Sequence, residues 1–316
     1  MIKILLFGGD RLKEDVPLTL VADHLTKKKI KFIIITDKSR LNKSSKKSGT
    51  FKNLLKRKKY KFIIFDKLNE KKVVSLIDKD TFGLSLNSTW KFKNKLINSF
   101  RGNFYNYHAA DMPQERGSGN ISWKILKKNI KTGSINIHVI DQEFDTGDIV
   151  AKKKILFPNK KKGILPVDFL KKIAKNEKDL LINFVDKMIK KKKFKKIKQN
   201  HKKSFYWPRL NADKDGCINW SWNAKEIISF IRAFSKPYNG AFTFLGKSKI
   251  RIYNAHINSK KEKFHPFQNG LIFRKDKKSI YVANQKGSIK IRINNISFKN
   301  EKIKFLGKRF NSFKEK

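Results

Sequence analysis

The sequence predicts an α/β chain: a doubly wound, mostly parallel sheet followed by a smaller C-terminal β-barrel-like domain. Three observations carry that expectation. In the first half, short apolar runs are separated by segments of helix length, as buried parallel strands with crossover helices require. From Lys190 to Lys203 the composition shifts abruptly, ten of those fourteen residues being Lys or His. Beyond it come short alternating segments punctuated by turns, the texture of antiparallel strands. The expected organisation is therefore an α/β domain over 1–189, a Lys-rich linker over 190–203 and a small barrel-like domain over 204–316.

The elements follow in order. Ile2 to Phe7 read as a buried first strand ending at Gly8-Gly9. That pair alone is a weak phosphate-loop signal, and a tight turn explains it better. Leu18, Leu20, Val21 and Leu25 carry a helical period, and Phe32–Ile35 and Phe62–Phe65 are further strands. Asn103–His108 is another strand, and residues 109–118, with their Pro and Gly, are a loop. A helix is expected over Ile121–Leu126, with Ser118 or Asn120 available as its cap. Ser134–Ile140 alternates as a strand does, and Asp145-Thr146-Gly147-Asp148 is turn chemistry ahead of the strand Ile149–Ile155. Residues 166–189 form a long helix.

In the last third, Asn223-Ala224-Lys225-Glu226 has capping-box form. Ile227, Ile228, Ile231 and Phe234 then fall on one helical face. Strands are expected over Ala241–Leu245, Ile250–Tyr253, Leu271–Phe273, Ile280–Val282 and Ile289–Ile293, with Gly246-Lys247 as a hairpin turn.

Composition limits the function classes. With 39% hydrophobic residues, 26 Phe and 5 Trp, the chain of 316 residues is a folded protein. The single cysteine, Cys217, excludes a disulfide within the chain. The first apolar run is too short for a signal peptide, and no stretch reaches membrane-spanning length, so a cytoplasmic location is expected. The net charge of +50 has two readings. One is a nucleic-acid footprint. The other is codon bias that decorates every solvated face with Lys, since only 11 of the 76 basic residues are Arg, the better phosphate ligand. The run 190–203 divides the same way, as a solvated linker or an RNA-contacting strip. No Cys/His spacing fits a metal site, and none is expected.

Asn106 and His108 stand two apart on a strand, so their side chains share a face. The strand ends at His108, and ligands of open α/β sheets sit beyond such carboxyl ends. Asp145 follows the neighbouring strand in Asp-x-Gly form. These three are the candidate catalytic residues.

Their spacing is specific. Asn106-x-His108-x-x-x-Met112-Pro113-x-x-Arg116-Gly117 resembles the signature of the 10-formyltetrahydrofolate-dependent formyltransferases, with Ala110-Asp111-Met112 where that family usually has Ser-Leu-Leu. Thr132-Gly133, Ile137-His138 and Phe144-Asp145-Thr146-Gly147-Asp148-Ile149 match its downstream pattern. Asp215-Gly216-Cys217-Ile218-Asn219-Trp220, Ile231-Arg232-Ala233-Phe234 and Pro237-Tyr238-Asn239-Gly240-Ala241 are similar to its C-terminal domain, although Asn219 stands where Asp is common. The resemblance implies a co-substrate, 10-formyltetrahydrofolate, and a primary-amine acceptor. It implies that Asn106 and His108 donate to the formyl oxygen, and that Asp145 orients His108 and helps to move protons. The folate is then expected between Trp90-Lys91-Phe92 and Asp141-Gln142-Glu143-Phe144. Trp90 and Phe92 fit a core position equally well. His138 reads as structural support. Asp111 and Glu115 read as solvated loop carboxylates, or as contacts to the acceptor.

Two acceptors fit, methionyl-tRNA and a nucleotide-linked amino sugar. The charge and the Lys-rich run favour tRNA. Gly8-Gly9-Asp10-Arg11, where tRNA enzymes of this kind usually carry Gly-Thr-Pro, and Ser118-Gly119-Asn120 oppose it. The segment Pro237 to Phe244 also resembles sugar-modifying members, and the amino sugar is the expected acceptor. A basic RNA-binding protein that keeps the scaffold without the activity is the alternative of another class. The sequence leaves the oligomeric state open, a homodimer being one option.

Overall fold

The computed structural model describes residues 2–10, 16–42, 44–45, 49–118, 120–128, 131–157, 163–259, 261–298 and 304–312. Arg11 and Gly119, quoted above for the choice of acceptor, lie outside them. The chain divides into two compact units, each discontinuous in sequence. The first comprises Met1–Gly117, Thr132–Leu156 and Leu170–Tyr206; the second comprises Ser118–Lys131, Phe157–Phe169 and Trp207–Lys316.

The first unit is built on a seven-stranded sheet. Its strands in chain order are β1 (Lys3–Gly8), β2 (Lys31–Asp37), β3 (Phe62–Phe65), β4 (Thr81–Leu86), β5 (Phe104–His108), β6 (Thr132–Val139) and β7 (Ile149–Leu156). The spatial order is β7-β6-β5-β4-β1-β2-β3. From β3 to β5 all pairs are parallel; β6 pairs antiparallel with β5, and β7 pairs antiparallel with β6. Ile4 to Phe7 are fully buried, as a central strand covered on both faces must be. Against the sheet, Phe7 packs on Phe92, Phe100 and Phe104 with ring centroids 5.3, 6.1 and 5.1 Å away.

Asp10, just past β1, receives the backbone N–H of Leu18 at 3.0 Å and of Thr19 at 3.2 Å. It thereby caps the helix Pro17–Lys27, whose own preceding residue, Val16, offers no side-chain acceptor. Gly8 is held close against β4: with φ at 118°, an added Cβ would lie 2.1 Å from the Leu86 carbonyl oxygen. The tight-turn reading of this glycine therefore has a steric cause.

One central strand, β4, escapes the sequence reading. Thr81, Gly83 and Ser85 interrupt its apolar run, yet all six of its residues are buried. Gly83 is required there, because a Cβ would lie 2.5 Å from the Phe104 ring and 2.8 Å from that of Phe100.

Residues 190–203, expected as a linker, contribute to the first unit. Ile197 exchanges both backbone hydrogen bonds with Ile149, each at 2.9 Å. In the second unit, Asn223 accepts from the Glu226 N–H at 3.1 Å and starts the helix Ala224–Ala233. That helix buries Ile227, Ile228 and Ile231 in a core shared with Ile250, Ile252, Ile272, Ile280, Val282, Ile289 and Ile291. The strands supplying this core are antiparallel and form a three-stranded and a four-stranded sheet. They include His256–Ser259, a strand absent from the sequence reading. Leu245 and Ser248 are paired across Gly246-Lys247, as the hairpin requires. Among the described residues, no helix is long and apolar enough to cross a membrane.

Candidate active site

The site lies at the carboxyl end of β5, within the first unit. Register sets it up: across β5 and β6, Asn106 is opposite His138 and His108 opposite Asn136. Residues two apart on each strand point the same way, so all four side chains share one face.

Asp145 reaches this group from the turn after β6. Its φ is 58°, in the left-handed region, and two features hold it there. At Gly147 an added Cβ would stand 2.0 Å from the Val139 carbonyl oxygen, so this turn admits only glycine. Gln199 supplies the second, donating from Nε2 to the carbonyl of Asp145 at 3.0 Å and of Gly147 at 2.6 Å. Gln199 Oε1 accepts in turn from Arg116 Nη2 at 3.0 Å and Nε at 3.3 Å. Arg116 and Gln199 are both buried, and together they pin the Asp145 turn.

The carboxylate of Asp145 is surrounded. Oδ2 accepts from the Gly117 N–H at 2.9 Å and lies 3.8 Å from His108 Nδ1. Oδ1 lies 3.3 Å from both His138 Nε2 and Asn106 Nδ2. Asn106 Nδ2 is also 3.1 Å from His138 Nε2. The remaining nitrogens of the two rings meet carbonyls: His108 Nε2 is 3.0 Å from Glu115 O, and His138 Nδ1 is 2.8 Å from Val139 O. Each imidazole thus spans a carbonyl and the same carboxylate.

Burial alone would raise the pKa of Asp145. The charge of His108, the hydrogen bond and charge of His138, and the Gly117 N–H outweigh it and hold the carboxyl well below the usual carboxylate range. The group is a persistent anion.

The structure brings Asn106, His108 and Asp145 together, and adds His138 to them. The expected folate residues are distributed differently. Phe92 is buried, its ring centroid 5.3 Å from Phe7 and 4.7 Å from Phe104. Trp90 packs partly buried against the same cluster. Lys91 extends its ammonium over the exposed ring of Phe144, 5.4 Å from the centroid. Gln142 and Glu143 are exposed, and Asp141 accepts from the Thr146 hydroxyl at 2.5 Å. The sequence reading passed over Arg116 and Gln199 as supports. The Arg-Gly dipeptide marked the first. Nothing in the Lys-rich run marked the second.

Two domain families account for most of the chain. The formyl transferase family matches residues 25–185, and the formyl transferase C-terminal domain matches residues 212–309. The chain belongs to the formyl transferase family. A methionyl-tRNA formyltransferase of Coxiella burnetii is 30% identical over 197 residues, covering 62% of this chain and 60% of that protein. The chain thus matches less than two thirds of that relative's length. Among solved structures, the N-formyltransferase of Helicobacter canadensis in complex with folinic acid and dTDP-3-aminofucose has a TM-score of 0.68 at 18% identity. It covers 92% of this chain and 99% of its own. The methionyl-tRNA formyltransferase of Clostridium thermocellum gives 0.55 at 16% identity, covering 82% and 94%. At these identities the likeness is one of fold.

Proposed function

We propose that this formyl transferase moves a formyl group from 10-formyltetrahydrofolate to a primary amine, and that the amine belongs to a nucleotide-linked amino sugar. The observation that carries the reading is the convergence of Asn106, His108 and the Asp145 anion on one strand end, joined to membership of the family.

The chemistry follows from the groups present. A neutral amine adds to the formyl carbon, and negative charge develops on the formyl oxygen. Asn106 has an amide N–H donor at the site, and His108 presents a ring N–H. Both are aimed to stabilise that oxygen once substrate displaces their present partners. Asp145 stays anionic throughout, so its part is electrostatic: it holds His108 in position and stabilises positive charge on the ring and on the attacking amine. The amine loses one proton and the leaving folate nitrogen gains one, through His108 or a water. Folate is expected to lie along Lys91 and Phe144, whose ring is exposed, while Phe92 supports the pocket from the core.

For the acceptor, the support is the larger likeness of fold to the amino-sugar enzyme. The methionyl-tRNA alternative has in its favour the basic charge, the Lys-rich run and the 30% identity to a tRNA enzyme. The deciding experiment offers 10-formyltetrahydrofolate with nucleotide amino sugars and methionyl-tRNA in parallel and measures formylated product. Formylation of the sugar is expected. Formylation of tRNA alone overturns the acceptor, and transfer to neither overturns the activity. Asn106→Ala should reduce kcat by about 100- to 1000-fold, the usual cost of one oxyanion donor.

A further inference from the structure

The loop after β5 is closed by Glu115, a residue expected as a solvated carboxylate or as a contact to the acceptor. Glu115 is only 9% exposed, and its Oε2 accepts the backbone N–H of Asp111 at 2.9 Å. In return the Glu115 N–H donates to the Asp111 carbonyl at 2.6 Å. Side chain and backbone of one residue thus clasp the stretch 111–115. Its near end is anchored on the sheet. The Ala110 carbonyl accepts from Ser134 Oγ at 3.2 Å and from Asn136 Nδ2, and Lys152 Nζ is 3.4 Å from the Met112 carbonyl. Asn136 is fully buried and stands opposite His108 across β5 and β6.

Three consecutive residues at the far end of the clasp meet the site. The Glu115 carbonyl oxygen lies 3.0 Å from His108 Nε2, the Arg116 N–H donates to the Phe205 carbonyl at 3.1 Å, and the Gly117 N–H donates to Asp145 Oδ2 at 2.9 Å. One short segment therefore contacts the imidazole at one end and the carboxylate at the other. His108 Nδ1 is 3.8 Å from Asp145 Oδ2, beyond hydrogen-bond length. The angle at which the ring faces the carboxylate then depends on its hold at Nε2, and that hold depends on where the Glu115 carbonyl stands.

We propose that the Glu115 side chain is a positioning residue for the formyl transfer. By holding the Asp111 N–H it fixes its own carbonyl against His108 Nε2, and so turns Nδ1 toward Asp145 and the formyl carbon. The proposal rests on the formyl-transfer reading above and gives Glu115 no contact with either substrate. Its leverage is geometric: a misplacement of about 1 Å at a reacting group can cost on the order of 100-fold in rate.

The test compares two substitutions in the full chain. Glu115→Gln keeps an acceptor oxygen at the same reach and cannot carry the charge, whereas Glu115→Leu keeps the bulk and has no acceptor. Each is measured by initial rates over varied 10-formyltetrahydrofolate, with the amine that the parallel assay identifies, and by the NMR signal of His108 Cε1–H, assigned through its loss in His108→Gln. Glu115→Leu should lower kcat by about 10- to 100-fold, leave KM for the folate within about twofold and shift the His108 signal. Glu115→Gln should match the parent in all three. If Glu115→Leu does not fold, Glu115→Ala carries the same prediction. A parent-like kcat and His108 signal without the acceptor overturn the proposal. A Gln variant as slow as the Leu variant, with the His108 signal unmoved in both, also overturns it and gives the charge of Glu115 to the acceptor amine. If the parent formylates no amine, the formyl-transfer reading falls, while a His108 signal that moves in Glu115→Leu and returns in Glu115→Gln keeps the clasp.

Discussion

In the proposed reaction, Asp145 is the charged carboxylate at the centre of the site. Its carboxyl is buried, yet two imidazoles, an amide and a backbone N–H keep it ionised. A folded-state value below the ordinary one, about 3.9, means that its contribution to stability is fully present above that pH and is lost as the pH falls through the folded value. Asp145→Asn keeps the size and removes the charge. Urea midpoints of the two proteins should therefore differ at pH 7, and the gap should begin to close as the pH drops below about 4. A gap that is constant from pH 7 to 3 would show that the carboxylate is not stabilised by its surroundings. At neutral pH the same variant should lose most of its turnover with its fold intact. Unchanged turnover would leave Asp145 without a part in the reaction.

The turn that presents Asp145 is built from distant pieces of sequence. Gly147 admits the close pass to Val139, and Gln199 ties the Asp145 and Gly147 carbonyls to Arg116. Gln199→Leu leaves those two carbonyls without their donor and should cost about 1–3 kcal/mol in denaturant unfolding. It should also lower kcat more than it affects folate binding, because it loosens the turn. A variant as stable and as active as the parent would show that the turn stands without it. The Asp-x-Gly form and the Asn-x-His spacing were legible because strand alternation and turn sterics leave local marks. Gln199 was not, since its role depends on tertiary contacts and its neighbours are lysines. The same distinction separates the strands. Ile4 to Phe7 showed as an apolar run, whereas Thr81–Leu86 was hidden because the Phe100 and Phe104 rings demand glycine at 83. His256–Ser259 was missed because its four residues, His-Ile-Asn-Ser, carry a single apolar side chain.

Across the whole molecule, a net charge of +50 puts a positive field around a site whose proposed acceptor is anionic. The salt dependence of catalysis then separates the two acceptors. A polynucleotide bound through phosphates releases condensed counterions, and 6–10 such contacts cost about 10³–10⁵ in affinity between 50 and 200 mM salt. A nucleoside diphosphate carries no condensed atmosphere. Its attraction is weakened only by screening, whose length is about 10 Å at 0.1 M. With the nucleotide amino sugar, kcat/KM should therefore fall by less than about tenfold over that salt range, with kcat nearly unchanged. The measurement is a series of initial rates at fixed 10-formyltetrahydrofolate and rising KCl. A fall of several hundredfold would mean that the charge is a polynucleotide footprint rather than a general decoration of the surface with Lys. The acceptor would then be RNA.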